Sequence, residues 1–271
     1  MRRLPLPTAA VLAVLVLGAC SRDEGASAGA TASTASAAGE RQAGAGGYWE
    51  MVGPLVAGSY AGNCTRTPES GTLSGAAITL GADGKLSAPG LDTDMRKSQL
   101  LMLTRESAGG AVKAGASMSL DPEKGPVLNI VDESRPEGAG AVILQGESML
   151  HCDKGAPLEK LRAQPLHRLA AQALEVRGQS LKCVSLASMG SSTTTEFKLT
   201  NGVATLGSTS FDLGQATEES LMLNQVDQQM IYSFQLPGRP RMNVSYDGSG
   251  KVIQVQGRTD DGPGEACQVE A

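Results

Sequence analysis

The sequence predicts a mostly β fold: two tandem antiparallel β units, each closed by a disulfide, joined by a helical connector. Three observations predict it. Short apolar or alternating segments bounded by Gly, Pro and Asp recur along the chain, the signature of strands and tight turns. The stretch after Gly47 can be laid on itself with Cys64 over Cys183, which brings Ile78-Thr79-Leu80 onto Phe197-Lys198-Leu199. With one residue more, Leu91-Asp92 falls on Phe211-Asp212 and Leu101-Met102-Leu103 on Leu221-Met222-Leu223. Further on, Leu144-Gln145-Gly146 falls on Val255-Gln256-Gly257, and each half ends in a cysteine, Cys152 and Cys267. An order preserved over such a length reads as an internal duplication. A small barrel and a sandwich both suit each unit.

Residues 1–19 read as an export signal. Arg2 and Arg3 supply its positive start, and Ala9 to Leu17 an apolar run shorter than the ~20 residues a membrane span needs. The run closes on Leu17-Gly18-Ala19-Cys20, which resembles the lipobox of bacterial lipoproteins. The resemblance implies lipidation of Cys20, palmitate-type acylation of the new terminus, and a membrane partner reached through that anchor. Ser21 after the cysteine, where the inner-membrane sorting pattern has Asp, points to the periplasmic face of the outer membrane. Residues 20–47 are Ala, Gly, Ser and Thr with a few charges, a composition that buries too little apolar area to order itself, so a disordered tether is expected.

The first β unit spans 48–155. Its strand signals are Ala76 to Leu80, Gln99 to Thr104, Val127 to Val131 and Ala141 to Gln145, with a hairpin turn at Ala82-Asp83-Gly84-Lys85. The connector, 156–177, places Leu158, Leu161, Leu166, Leu169, Ala170, Ala173 and Leu174 at helical spacing, interrupted by Pro165, which predicts a helix in two pieces. The second β unit, 178–271, carries Glu196 to Thr200, Met230 to Gln235, Arg241 to Tyr246 and Lys251 to Gln256, with a turn at Asp247-Gly248-Ser249-Gly250. Four cysteines remain besides Cys20, an even number suited to an oxidising compartment, and the duplication selects Cys64 with Cys152 and Cys183 with Cys267.

The charge balance, 23 Lys plus Arg against 28 Asp plus Glu, leaves no basic footprint for nucleic acid. One Trp, four Tyr and three Phe leave few stacking platforms for single strands or sugars. Catalysis needs a convergent set, and none is legible: His151 adjoins Cys152, His167 lies on the connector, and no nucleophile elbow, HExxH or Walker loop occurs. No catalytic residue, metal site or cofactor is therefore expected. Asp92-Thr93-Asp94 and Asp260-Asp261 with Glu265 lack the ligand spacing of a calcium loop and read as solvated acidic turns. Trp49 reads as a cover for the open end of the first unit, with an interaction anchor as the alternative.

The run Gly58-Ser59-Tyr60-Ala61-Gly62-Asn63-Cys64, followed by Ala77 to Leu80 and Asp83-Gly84-Lys85-Leu86, resembles the opening of lipocalin-like barrels in NlpE-type envelope lipoproteins. It lacks that family's CxxC, so metal sensing does not carry over. The expectation is a non-enzymatic, periplasm-facing module that binds an envelope or periplasmic protein, as a scaffold or as an inhibitor or immunity protein. A carrier of a small apolar or lipid ligand in a β-barrel and a cryptic hydrolase are the alternatives.

Overall fold

The computed structural model describes residues 45–68, 71–132, 140–155, 158–173, 178–185, 192–239, 241–259 and 262–268. The signal, Cys20, most of the tether, and Asp260-Asp261 lie outside them. The first repeat opens with helix α1 (Ala45–Val56), which starts inside the segment read as tether. Its strands are β1 (Gly58–Gly62), β2 (Thr65–Thr67), β3 (Ile78–Leu80), β4 (Lys85–Ala88), β5 (Leu91–Asp94), β6 (Leu100–Ala108), β7 (Ala111–Ser119), β8 (Val127–Asp132), β9 (Gly140–Gln145), β10 (Ser148–Cys152) and β11 (Lys154–Gly155), with a 3-10 turn over Met95–Lys97. The connector is indeed two helices, α2 (Glu159–Ala163) and α3 (Leu166–Ala173), parted at Pro165. The second repeat follows with β12 (Gln179–Ser185), β13 (Ser192–Thr200), β14 (Val203–Leu206), β15 (Thr209–Asp212), a 3-10 turn over Leu213–Gln215, β16 (Glu218–Asn224), β17 (Gln229–Gln235), β18 (Arg241–Tyr246), β19 (Val252–Thr259) and β20 (Gly262–Gln268).

The same succession of elements thus occurs twice. Strand registers set Cys64 against Cys183, Leu103 against Leu221, Ala116 against Tyr232, Ile130 against Val244, Ala141 against Val255 and Cys152 against Cys267. Three of the sequence overlays are slipped, the first because Leu103, not Leu101, corresponds to Leu221. It is Asp94, not Asp92, that corresponds to Asp212, because each is the N-cap of its 3-10 turn, accepting from the N–H of Arg96 and of Gly214. Ile143, not Gly146, takes the place of Gly257, because hairpins of the two repeats differ in length.

Closure as a barrel does not occur. The hydrogen-bonded order runs β15-β14-β13-β12-β20-β19-β18-β17-β16-β6-β7-β8-β9-β10-β2, and β11-β1-β3-β4-β5 forms a second sheet. The repeats share the large sheet through β6 and β16. There Met102 stands opposite Met222, Leu101 opposite Leu223 and Leu103 opposite Leu221, so equivalent strands meet antiparallel about a local two-fold axis. In the second repeat β12 and β20 run unbroken. In the first, their counterparts bend: β1 gives way to β2 through Asn63, at φ 37°, and β10 to β11 past Cys152. The Cys64–Cys152 disulfide sits at that bend.

One face of the large sheet is buried. Alternation sends Leu101, Leu103, Met118, Leu128 and Ile130 inward in the first repeat, and Leu221, Leu223, Tyr232, Phe234 and Val244 in the second. Helix α3 lays Leu166, Leu169 and Ala170 on β6, β16 and β17, while α2 packs Leu161 near β7. Among the described residues no helix is long and apolar enough to cross a membrane.

Candidate functional site

Two polar features draw attention, one on each face of the large sheet. The inner one is buried. Glu219 of β16, 4% exposed, accepts at Oε1 from the backbone N–H of His167 (3.0 Å) and the hydroxyl of Tyr232 (2.9 Å), and at Oε2 from Arg105 Nη1 (3.2 Å). His167 Nδ1 stands 3.3 Å from Oε1, in ion-pairing range but off the line of a hydrogen bond. Burial pushes the Glu219 carboxyl up, and the donors from His167 and Tyr232 outweigh it, holding the group below the usual carboxylate range. The same burial, with Glu219 alongside, raises Tyr232 far above an ordinary phenol.

In the first repeat Asp132, fully buried, accepts from the backbone N–H of Leu158 (2.7 Å) and lies 3.6 Å from Arg162 Nε. Arg105 Nε in turn donates to the carbonyl of Arg162 (3.0 Å). One carboxylate from each repeat therefore satisfies the free N–H groups where α2 and α3 begin, and two arginines bridge between them. Every member is engaged in holding the connector against the sheet. The cluster is a structural clamp, with His167 as one of its parts.

The outer face is open. On β8, β9 and β10 it presents Val127, Val131, Val142, Leu144 and Met149, and Val131, Leu144 and Met149 are 50%, 39% and 37% exposed. At the corresponding backbone positions the second repeat has Arg241, Ser245, Gln256 and Arg258 for the first four. At these four positions the second repeat is polar, whereas the first repeat carries an apolar patch.

Beside that patch, where β6 meets β16, lies a cleft of about 330 Å³ lined by Thr104, Glu106, Lys113, Gly115, Val131, Glu218, Ser220 and Arg241 among others. Its depth comes from small residues. Thr104 faces Ser220 across the junction and Gly115 on the other side, and a Cβ at Gly115 would lie 2.8 Å from Thr104 Oγ1. One rim is charged: Lys113, Glu106 and Glu218 are successive cross-strand neighbours, and Arg241 pairs with Glu218.

Other residues singled out by sequence fall as follows. Cys64 and Cys152 are bonded to each other. Cys183 is disulfide-bonded and stands directly across from Cys267 in the β12–β20 pair. His151 faces outward on β10 between Val142 and Thr65. Asp92 and Asp94 lie on β5, where the Arg96 guanidinium hydrogen-bonds Asp94 and holds its carboxyl at about 2. Trp49 is buried in α1 and donates to the carbonyl of Ala82 (2.7 Å), tying the helix to the β3–β4 turn as a cover. Among the described residues no three His, Cys, Asp or Glu side chains group as a metal site. The sequence does not single out Glu106 or the consecutive Glu218 and Glu219, because an acid on a strand carries no local sign of what lies across from it. Comparison of the chain with known proteins finds no matching family model, no matching curated protein and no matching solved structure.

Proposed function

We propose that the chain is a lipid-anchored cell-envelope protein that binds a protein partner through the outer face of its first repeat, without catalysing a reaction. The observation that carries this reading is the asymmetry of the outer face. Val131 and Leu144 stand exposed where the second copy has Ser245 and Arg258, and Met149 stands exposed beside Leu144. The inner face is filled by its own side chains and by α1 to α3, which favours binding on the outside over carriage of an apolar ligand within. Cys20 serves as the lipid attachment, the following segment as the tether to the periplasmic face of the outer membrane, and Cys183 with Cys267 as the second repeat's disulfide. Tethering at the membrane raises the effective concentration toward envelope partners.

Affinity capture of the lipidated chain from cross-linked cells, with Cys20→Ala and Leu144→Arg chains alongside, tests this. A stoichiometric protein partner lost in the Leu144→Arg chain is expected. Recovery of bound lipid with no protein, or hydrolysis of peptidoglycan or lipid esters by the purified chain, would overturn it.

A further inference from the structure

The described methionines divide by position. Met95, Met118, Met230 and Met242 are buried, and Met51 of α1 packs half-buried against the core. Met102 and Met149, each 37% exposed, and half-buried Met222 lie on the outer face of the large sheet. Met102 stands directly opposite Met222 where β6 meets β16, with Ile231 next in the same row, and Met149 stands opposite Leu144. Other readily oxidised side chains are withdrawn from solvent or already oxidised. Trp49 and all four tyrosines are buried, and Cys64, Cys152 and Cys183 are disulfide-bonded. A two-electron oxidant reaching the described residues therefore meets the thioethers of the outer face first.

We propose that Met102, Met149 and Met222 form a modification site for peroxides, at which sulfoxide formation turns an apolar docking face polar. The effect on docking rests on the protein-binding reading above, whereas the chemistry does not. A lone pair of the thioether sulfur attacks one peroxide oxygen, so that an S–O bond forms and the O–O bond breaks. Sulfur gives up two electrons, and the proton of the transferred oxygen passes to the departing hydroxide, which leaves as water. The flexible thioether moulds itself to apolar partners, and its sulfoxide is polar and accepts hydrogen bonds. Because Met102 and Met222 are neighbours, two of the three apolar side chains in their row with Ile231 change polarity together, and Met149 does the same beside Leu144. The core thioethers Met118, Met230 and Met242 are shielded, so the face changes while the fold stays.

The test treats the detergent-solubilised full chain with graded hydrogen peroxide and maps oxygen addition by peptide mass spectrometry. Met102 and Met149 should gain oxygen about tenfold faster than Met118 and Met230, with Met222 between. Retention on a phenyl hydrophobic-interaction column should fall at the same dose with the unfolding midpoint unchanged. A Met102→Leu/Met149→Leu/Met222→Leu chain, which keeps the volume of each side chain, should hold its retention. Cross-linked capture should lose its protein partner on oxidation of the wild-type chain and keep it on the same treatment of the leucine chain. Equal oxidation of buried and outer methionines, or an equal fall in retention of the leucine chain, would overturn the inference. Capture indifferent to oxidation would overturn it too, while leaving a protein-binding outer face standing. A wild-type chain that captures no protein before oxidation would overturn the broader reading instead, and the mapping and retention then decide the modification site by themselves.

Discussion

The two repeats solve the same packing problem with different volumes. On β7 the inward residues are Ala114, Ala116 and Met118, and at the corresponding places on β17 they are Met230, Tyr232 and Phe234. Bulk removed from the first repeat's strand is replaced by helix: α2 packs on β7, and α1 packs on α2. The second repeat fills its own interior, stacking Tyr232 on Phe234 at 5.5 Å and setting Phe211 edge-on to Phe234 at 6.1 Å. The lesson is that register and hydrogen bonding fix the frame, while which layer supplies the side-chain volume is free to differ. Polarity has diverged in the same way. Asp132, the clamp for α2, occupies the backbone position that Tyr246 holds in the second repeat.

Tyr232→Ala strikes the second repeat's solution hardest. It leaves a large cavity and withdraws a donor from buried Glu219, so a loss of about 3 to 5 kcal/mol is expected by denaturant unfolding. Restoring Phe at that position should recover most of it. An unchanged midpoint for Tyr232→Ala would mean that helix α3, rather than the aromatic layer, fills this interior.

Opening the Cys64–Cys152 bond, which closes a separation of 88 residues, tests whether the bend in the first repeat depends on it. A Cys64→Ala/Cys152→Ala chain should lose about 2 to 5 kcal/mol. Hydrogen exchange should rise first in β1, β2 and β10 and leave the second repeat protected. Uniform exposure of both repeats would show instead that the shared sheet unfolds as one.

Gly53→Ala probes the helix that only the first repeat needs in this form. A Cβ there would lie 2.7 Å from the carbonyl of Ala82 and 2.5 Å from Trp49 Nε1, so α1 must lift from the β3–β4 turn. A cost of about 1 to 3 kcal/mol is expected, with the Trp49 fluorescence shifted toward a more solvated value. In an ordinary helix the same change would stabilise.

Acid offers a gentler contrast. Because the Glu219 carboxyl titrates below its unfolded value, its contribution to stability is complete above the ordinary carboxylate range, near 4.3, and is lost as pH falls through the lower folded value. Glu219→Gln should flatten that part of the stability profile measured by urea unfolding between neutral pH and pH ~3. An identical slope in the variant would assign the acid sensitivity to other carboxylates. Smallest of all for stability, within about 0.5 kcal/mol, should be Leu144→Arg, which puts the second repeat's residue on the first repeat's outer face. Its effect should appear in partner binding alone.

Much of this frame was legible. Alternation and short apolar runs gave β3, β6, β8, β9, β13, β17, β18 and β19 but passed over β7, β12 and β20. The Asp-Gly turns gave the β3–β4 and β18–β19 hairpins, and Pro165 divided the connector where the chain divides. Helix α1 was not legible, for a physical reason: Ala45-Gly46-Gly47 and the Gly53-Pro54 pair argue against a helix, and the element persists only because Trp49, Val52 and Val56 are buried on one face. The overlay pointed to two copies but not to their junction. Whether Leu101 to Leu103 meets Leu221 to Leu223 depends on pairing between distant edges, which no local pattern encodes. For the same reason the cleft at Glu106 and Glu218 was invisible: its residues come from strands that adjoin only in the assembled sheet.

The antiparallel meeting of β6 with β16 carries an implication for ancestry. A two-fold axis between equivalent strands is the geometry of a symmetric homodimer, in which the same edge of each subunit completes the other. A chain of one repeat would bear that edge open and could close it only by finding a second copy, at a rate set by its abundance. Fusing the copies makes the encounter intramolecular, so assembly no longer depends on concentration. It also frees the two halves to accumulate different surfaces, which identical subunits cannot do.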